Sequence, residues 1–222
     1  MRCVSSPMPA SPLALPGSFR AVVCDMDGLL VHTERQWLEA KRVLFARYGA
    51  TLERVDRSTV FGASDIETVS YFAGRLGVPR ADIPALRIEY MDIVGGLMDR
   101  GVEVTDGAVE LLSRLRGRVP LGLASNTRRP LVERILRQTP FADWFDAITT
   151  GDEATPKPAP DLYRLACERL GIEPRTAVAL EDSPAGVQAA RRAGLTCIGV
   201  PSDAEHPLTE ADHLVSSLTQ LL

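Results

Sequence analysis

The 222-residue sequence predicts an α/β protein: a parallel sheet covered on both faces by helices and interrupted by an all-helical insertion. Three observations predict it. The apolar run Phe19 to Cys24 is broken abruptly by Asp25-Met26-Asp27-Gly28. Residues 33 to about 102 carry only helical periodicity, and beyond Val104 helical and strand patterns alternate. Because the first strand belongs with the later ones, the helical stretch reads as an insertion between 18–32 and 103–222.

In chain order, residues 1–17 are proline-rich and aperiodic, and are expected to form a disordered lead-in. Phe19 to Cys24 reads as a buried strand. From Glu34 to Tyr48, Trp37, Leu38, Leu44, Phe45 and Tyr48 share one helical face, and Gly49 supplies a stop. Lys41 lies on the same stripe and is expected to bury its stem while keeping its ammonium wet, with a substrate contact as the alternative. Ser64-Asp65-Ile66-Glu67 has the spacing of a capping box and opens a helix to about Leu76; another spans Ile83 to Met98. The alternating part then predicts helices at 107–116, 129–138, 159–170 and 184–193. Strands are predicted at Val119 to Ala124, Asp146 to Thr149, Thr176 to Leu180 and Cys197 to Val200.

Composition narrows the function. A net charge of −4 leaves no basic surface for a nucleic-acid backbone, and no apolar run reaches the length of a membrane helix. The chain is expected to be cytoplasmic, without nucleic-acid or membrane partners, and a monomer or weak homodimer. Cys3, Cys24, Cys167 and Cys197 form no CxxC pair, and His32, His206 and His213 have no zinc spacing. His206 and His213 are expected at the surface, Cys24 and Cys197 in the core. Only Lys41 and Lys157 among 25 basic side chains are lysines, so each invites a specific reason.

Polar groups fall at four predicted strand ends: Asp25 and Asp27, Ser125 and Asn126, the loop holding Lys157, and Glu181 with Asp182. Parallel sheets bind ligands at those ends. Phosphoryl transfer needs a nucleophile, a divalent cation, donors for phosphate oxygens and an acid for the leaving alkoxide. Asp25 with Asp182 suits Mg2+, a hard cation that prefers oxygen ligands. Lys157 supplies a compact positive charge, Ser125 a hydroxyl, and Asp27 an acid placed beside Asp25 if Gly28 turns the backbone sharply. Ser183 before Pro184 reads as a helix cap.

The segments DMDGLL at 25–30, LASNT at 123–127, KPAPD at 157–161 and LEDSPAG at 180–186 together resemble, in order, the four motifs of the haloacid dehalogenase superfamily, in particular its β-phosphoglucomutase-like branch. The resemblance implies a Rossmann-like core with residues 33–102 as a cap. It implies Asp25 as the nucleophile that forms an aspartyl-phosphate and Asp27 as acid and base, its carbonyl also binding Mg2+. Ser125 and Lys157 would hold the phosphoryl group and Asn126 would border it. Asp182 would ligate Mg2+, with Glu181 doing so directly or through water. The expected activity is hydrolysis of a small phosphorylated metabolite, with sugar phosphomutase as the alternative. Two departures stand out. His32 falls in Val31-His32-Thr33-Glu34, where the family often reads VDSE. The loop Val60 to Asp65 lacks the arginine with which mutases grip a second phosphate.

Overall fold

The computed structural model describes residue 15 and residues 18–60, 63–202 and 206–222. The expected disorder of 1–17 falls almost wholly outside these residues, as do Phe61 and Gly62 of the loop at 60–65.

The predicted core strands form one parallel sheet. They are β1 (Ala21–Cys24), β4 (Leu121–Ser125), β5 (Ala147–Thr150), β6 (Ala177–Glu181) and β7 (Thr196–Gly199), joined by a short edge strand β8 (His213–Leu214). Their order is β5-β4-β1-β6-β7-β8. β1, β4 and β6 are buried along their whole length, which is why they read as continuous apolar runs rather than as alternation. Helices α5 (Ala108–Leu115), α6 (Arg129–Leu136), α7 (Asp161–Leu170) and α8 (Pro184–Ala193) make the connections. The chain leaves β1 for one side through β4 and for the other through β6, so the order reverses beside β1. A crevice opens at such a switch point, outside the C-terminal strand ends.

Four helices lie between β2 (Val31–His32) and β3 (Glu103–Val104): α1 (Glu34–Arg47), α2 (Arg54–Thr59), α3 (Asp65–Leu76) and α4 (Ile83–Met98). The two short strands pair antiparallel, Val31 with Val104 and His32 with Glu103, and clasp the base of the insertion. Ser64 caps α3 through the anticipated reciprocal box, accepting from the Glu67 N–H while the Glu67 carboxylate accepts from the Ser64 N–H at 2.9 Å. The insertion has an aromatic centre. Phe72 meets Phe45 edge-on at 5.0 Å and Tyr90 at 5.9 Å, and Tyr90 in turn lies 6.2 Å from Trp37. At one side, the buried Asp56 carboxylate accepts from Tyr71 Oη at 2.8 Å and from Arg75 Nε at 2.6 Å.

Two stability predictions follow from these contacts. Phe72→Ala empties a fully buried site and should destabilise the protein by about 3–5 kcal/mol in urea unfolding. The Arg75 hydrogen bonds lower the Asp56 pKa to about 2, so the carboxylate contributes stability above its ordinary titration range and loses it as pH falls toward that value. The difference in Tm between wild type and Asp56→Asn should therefore be constant near neutrality and close as pH drops below about 4.

Candidate active site

The sheet delivers its polar groups to one crevice. Asp25 and Asp27 follow β1, Ser125 ends β4, Lys157 lies in the loop after β5, and Glu181 ends β6 with Asp182 next in the chain. Between this edge and the helical insertion lies a cavity of 670 Å³ lined by Asp25, Asp27, Ser125, Asn126, Lys157 and Asp182. Trp37, Leu38, Lys41, Tyr90 and Met91 of the insertion face them. Of the seven residues singled out in the sequence, only Glu181 is not in the wall; it lies directly behind it, fully buried.

Lys157 is the electrostatic centre. Its ammonium, buried with its whole side chain, donates to Asp25 Oδ1 and to Glu181 Oε1, the latter at 2.5 Å. The Tyr163 hydroxyl donates to the same Glu181 oxygen at 2.8 Å, and its ring lies 5.0 Å from the ammonium. Glu181 Oε2 accepts from the backbone N–H groups of Asp182 and Ser183 at 3.1 and 3.2 Å. Asn126 clamps the lysine's backbone, accepting from its N–H at 2.7 Å and donating to its carbonyl at 3.3 Å. Burial disfavours the lysine's charge, but Asp25 and Glu181 outweigh that cost and hold its pKa above the usual value.

Asp25, Glu181 and Asp182 each place an oxygen within 4.8 Å of the others. Three buried carboxylates against one ammonium leave negative charge uncompensated. Burial and mutual repulsion accordingly push the Asp25 pKa up to about 8 and that of Asp182 well above the carboxylate range. An all-oxygen donor set with surplus negative charge fits a hard divalent cation. The Ser202 hydroxyl fixes Asp182 by donating to Oδ2 at 2.6 Å.

Two glycines make room for this cluster. Gly28 has φ of +84°, and a Cβ there would sit 2.1 Å from Asp182 Oδ2. Gly186, in the first turn of α8, lies against the Glu181 carboxylate, where a Cβ would approach within 1.8 Å. Ser183 caps the same helix, accepting from the Gly186 N–H at 3.1 Å.

Apart from Ser125, Asp27 is held by residues not singled out from the sequence as site residues. Its Oδ1 accepts from Thr33 Oγ1 at 2.6 Å and Trp37 Nε1 at 3.1 Å, and its Oδ2 from Thr127 Oγ1 at 2.8 Å and Ser125 Oγ at 3.4 Å. Thr33 stands at the N-cap of α1 without capping it, its hydroxyl being turned to Asp27. Lys41, expected to be solvated, and His206, expected at the surface, both line the cavity, as does His32. His206 is half-buried, and its position in the tail carried no signal that it would line the cavity. His213 is exposed, and Cys24 and Cys197 are buried, as expected.

The family model of haloacid dehalogenase-like hydrolases matches residues 22–200. The chain belongs to this family. It is 34% identical over 209 residues to validoxylamine A 7'-phosphate phosphatase of Streptomyces hygroscopicus subsp. limoneus, covering 91% of this chain and 96% of that protein. A crystal structure of CbbY from Rhodobacter sphaeroides in complex with phosphate superposes with a TM-score of 0.81 at 30% identity, covering 91% of this chain and 99% of the other. β-Phosphoglucomutase from Clostridium difficile shares the fold with a TM-score of 0.82 at 22% identity, over 92% of this chain and 93% of its own.

Gly186→Ala should force the Glu181 carboxylate aside and cost about 1–3 kcal/mol in chemical unfolding. Gly96→Ala, in α4 with nothing within 4 Å of the added carbon, should instead stabilise by about 1 kcal/mol.

Proposed function

We propose that the protein hydrolyses small phosphomonoesters, sugar phosphates or similar metabolites, with Asp25 as nucleophile and Mg2+ as cofactor. The observation that carries this is the buried cluster of Asp25, Glu181 and Asp182 around Lys157, open to a metabolite-sized cavity. The family and its phosphatase relatives support the reaction class.

Asp182, Asp25 and the backbone carbonyl of Asp27 would hold the cation, with Glu181 behind them. Bound there, Mg2+ supplies positive charge that favours ionised Asp25 and offsets repulsion between carboxylate and phosphate. Lys157 and the Ser125 hydroxyl hold the phosphoryl oxygens, bordered by Asn126. An Asp25 carboxylate oxygen attacks phosphorus as the ester P–O bond breaks, and Asp27 gives its proton to the leaving alkoxide. Asp27 then takes a proton from the water that cleaves the aspartyl-phosphate, releasing phosphate and restoring Asp25. Residues 33–102 act as a cap that closes on the substrate and limits access of bulk water.

The phosphatase relatives favour hydrolysis over phosphomutase chemistry, although Arg54 of α2 lines the cavity as a second cationic group of the insertion. Asp65 lines the cavity in the stretch where mutases place an arginine, and it is engaged by Arg87 at 2.7 and 3.0 Å.

A panel of phosphomonoesters assayed for phosphate release should give turnover that needs Mg2+ and is lost in chelator. Asp25→Asn should reduce it by about 10³-fold or more. Mg2+ should also raise the Tm of wild type and do so less in Asp182→Asn, a readout independent of turnover. Isomerisation of a sugar phosphate with a bisphosphate primer, without phosphate release, would favour the mutase; silence throughout would overturn both readings.

A further inference from the structure

Trp37 carries an unusual contact for a residue whose position in the sequence marks it as part of an apolar helical face. Its indole N–H donates to Asp27 Oδ1 across ten residues of chain. The two oxygens of an ionised carboxylate offer about four lone-pair positions, and Asp27 meets four donors: Thr33 and Trp37 on one oxygen, Thr127 and Ser125 on the other. Ser125 is the last residue of β4 and Thr127 lies two residues beyond it, on the sheet side. Thr33 precedes α1. Trp37 alone of the four is built into a helix of the insertion, and its ring is tied through Tyr90 and Phe72 to Phe45 at the insertion's centre.

We propose that Trp37 is a positioning residue for Asp27, coupling the orientation of that carboxylate to the seating of α1 over the sheet. The inference rests on the acid and base role given to Asp27 above. An indole suits the task because it only donates: it can orient the carboxylate without accepting its proton, as a neutral histidine or a carboxylate at the same place could. Ser125 is the longest of the four contacts, and a bound phosphoryl group offers its hydroxyl a competing acceptor. Once Ser125 turns to the substrate, Thr127 alone remains from the sheet side, and Thr33 with Trp37 sets the angle at which Asp27 meets the leaving oxygen. The departure of Ser125 also frees a position on Oδ2 for the proton that Asp27 carries when it acts as acid, and that proton moves to the leaving oxygen as the P–O bond breaks.

The test uses leaving groups of different basicity. An alkoxide needs a proton as it departs, whereas p-nitrophenolate leaves readily as the anion. Trp37→Phe keeps a ring against Tyr90 and removes only the N–H. Comparison of kcat/KM, which reports steps up to departure of the leaving group, should show a fall of about 10- to 100-fold on the preferred alkyl phosphate and less than about 2-fold on p-nitrophenyl phosphate. Retained aryl activity also certifies that the variant is folded, and Thr33→Val, which removes the other donor to the same oxygen, should show the same selectivity.

Equal losses on both esters, or no loss on either, would overturn the positioning role. Asp27→Asn separates this from failure of the underlying reading. If that variant is selective for the alkyl ester while Trp37→Phe is not, only the inference about Trp37 fails. If Asp27→Asn itself shows no selectivity, the acid role of Asp27 fails and the inference falls with it.

Discussion

The ammonium of Lys157, buried between Asp25 and Glu181, is the interaction on which the site depends. An isolated charge at that depth would be prohibitively costly, and removal of one partner from such a pair costs about 3–5 kcal/mol because the other is left buried and uncompensated. Much of the local structure serves to avoid that. Asn126 grips the lysine's backbone, Tyr163, the Ser183 hydroxyl and two backbone N–H groups complete the bonding of Glu181, and Gly186 clears the space in which the carboxylate sits. One ammonium still cannot balance three acids. Burial, and then repulsion among these acids, raises Asp25 and Asp182 out of the ordinary carboxylate range, and that environment suits the crevice to a divalent cation together with an anionic ester.

The sheet supplies rigidity and the helical insertion supplies the opposite wall. Asp25, Ser125 and Glu181 are fixed by strands hydrogen-bonded to one another, β1 being paired with β4 on one side and β6 on the other. Asp27 is different in kind. It lies where the chain leaves the sheet, and its carboxylate takes donors both from the end of β4 and from the start of the insertion. The group assigned to proton transfer is thus the one whose orientation depends on both walls, whereas the groups assigned to the phosphoryl centre belong to the sheet side.

Much of this was legible in the sequence because buried parallel strands announce themselves as apolar runs, and a charge directly after such a run must have a partner. Asp25, Ser125 and Glu181 with Asp182 were visible in that way, and the scarcity of lysine drew attention to Lys157. The helices were readable from periodicity and caps: the Ser64 box and the span Ile83–Met98 stand where expected, while several strand limits shift by one or two residues. The β2 and β3 pair and the short edge strand β8 were not, since two-residue strands have no period to detect. Trp37 was missed for a physical reason. Its ring satisfies the apolar helical pattern, and nothing in the sequence states that its single polar atom faces a carboxylate brought there by tertiary folding. Thr33 and Thr127 were overlooked likewise, as a threonine hydroxyl beside a strand or helix end gives no sign in the sequence of which carboxylate it meets.

The central claim is that Asp25 becomes covalently phosphorylated. Its most direct test is a single turnover of a ³²P-labelled monoester quenched in acid, followed by borohydride reduction, which converts an aspartyl-phosphate to homoserine and marks its position. Transient label on the protein and homoserine at residue 25 are expected, and neither in Asp25→Asn. Turnover at full rate with no labelled protein at any time, or label recovered on Ser125, would contradict it.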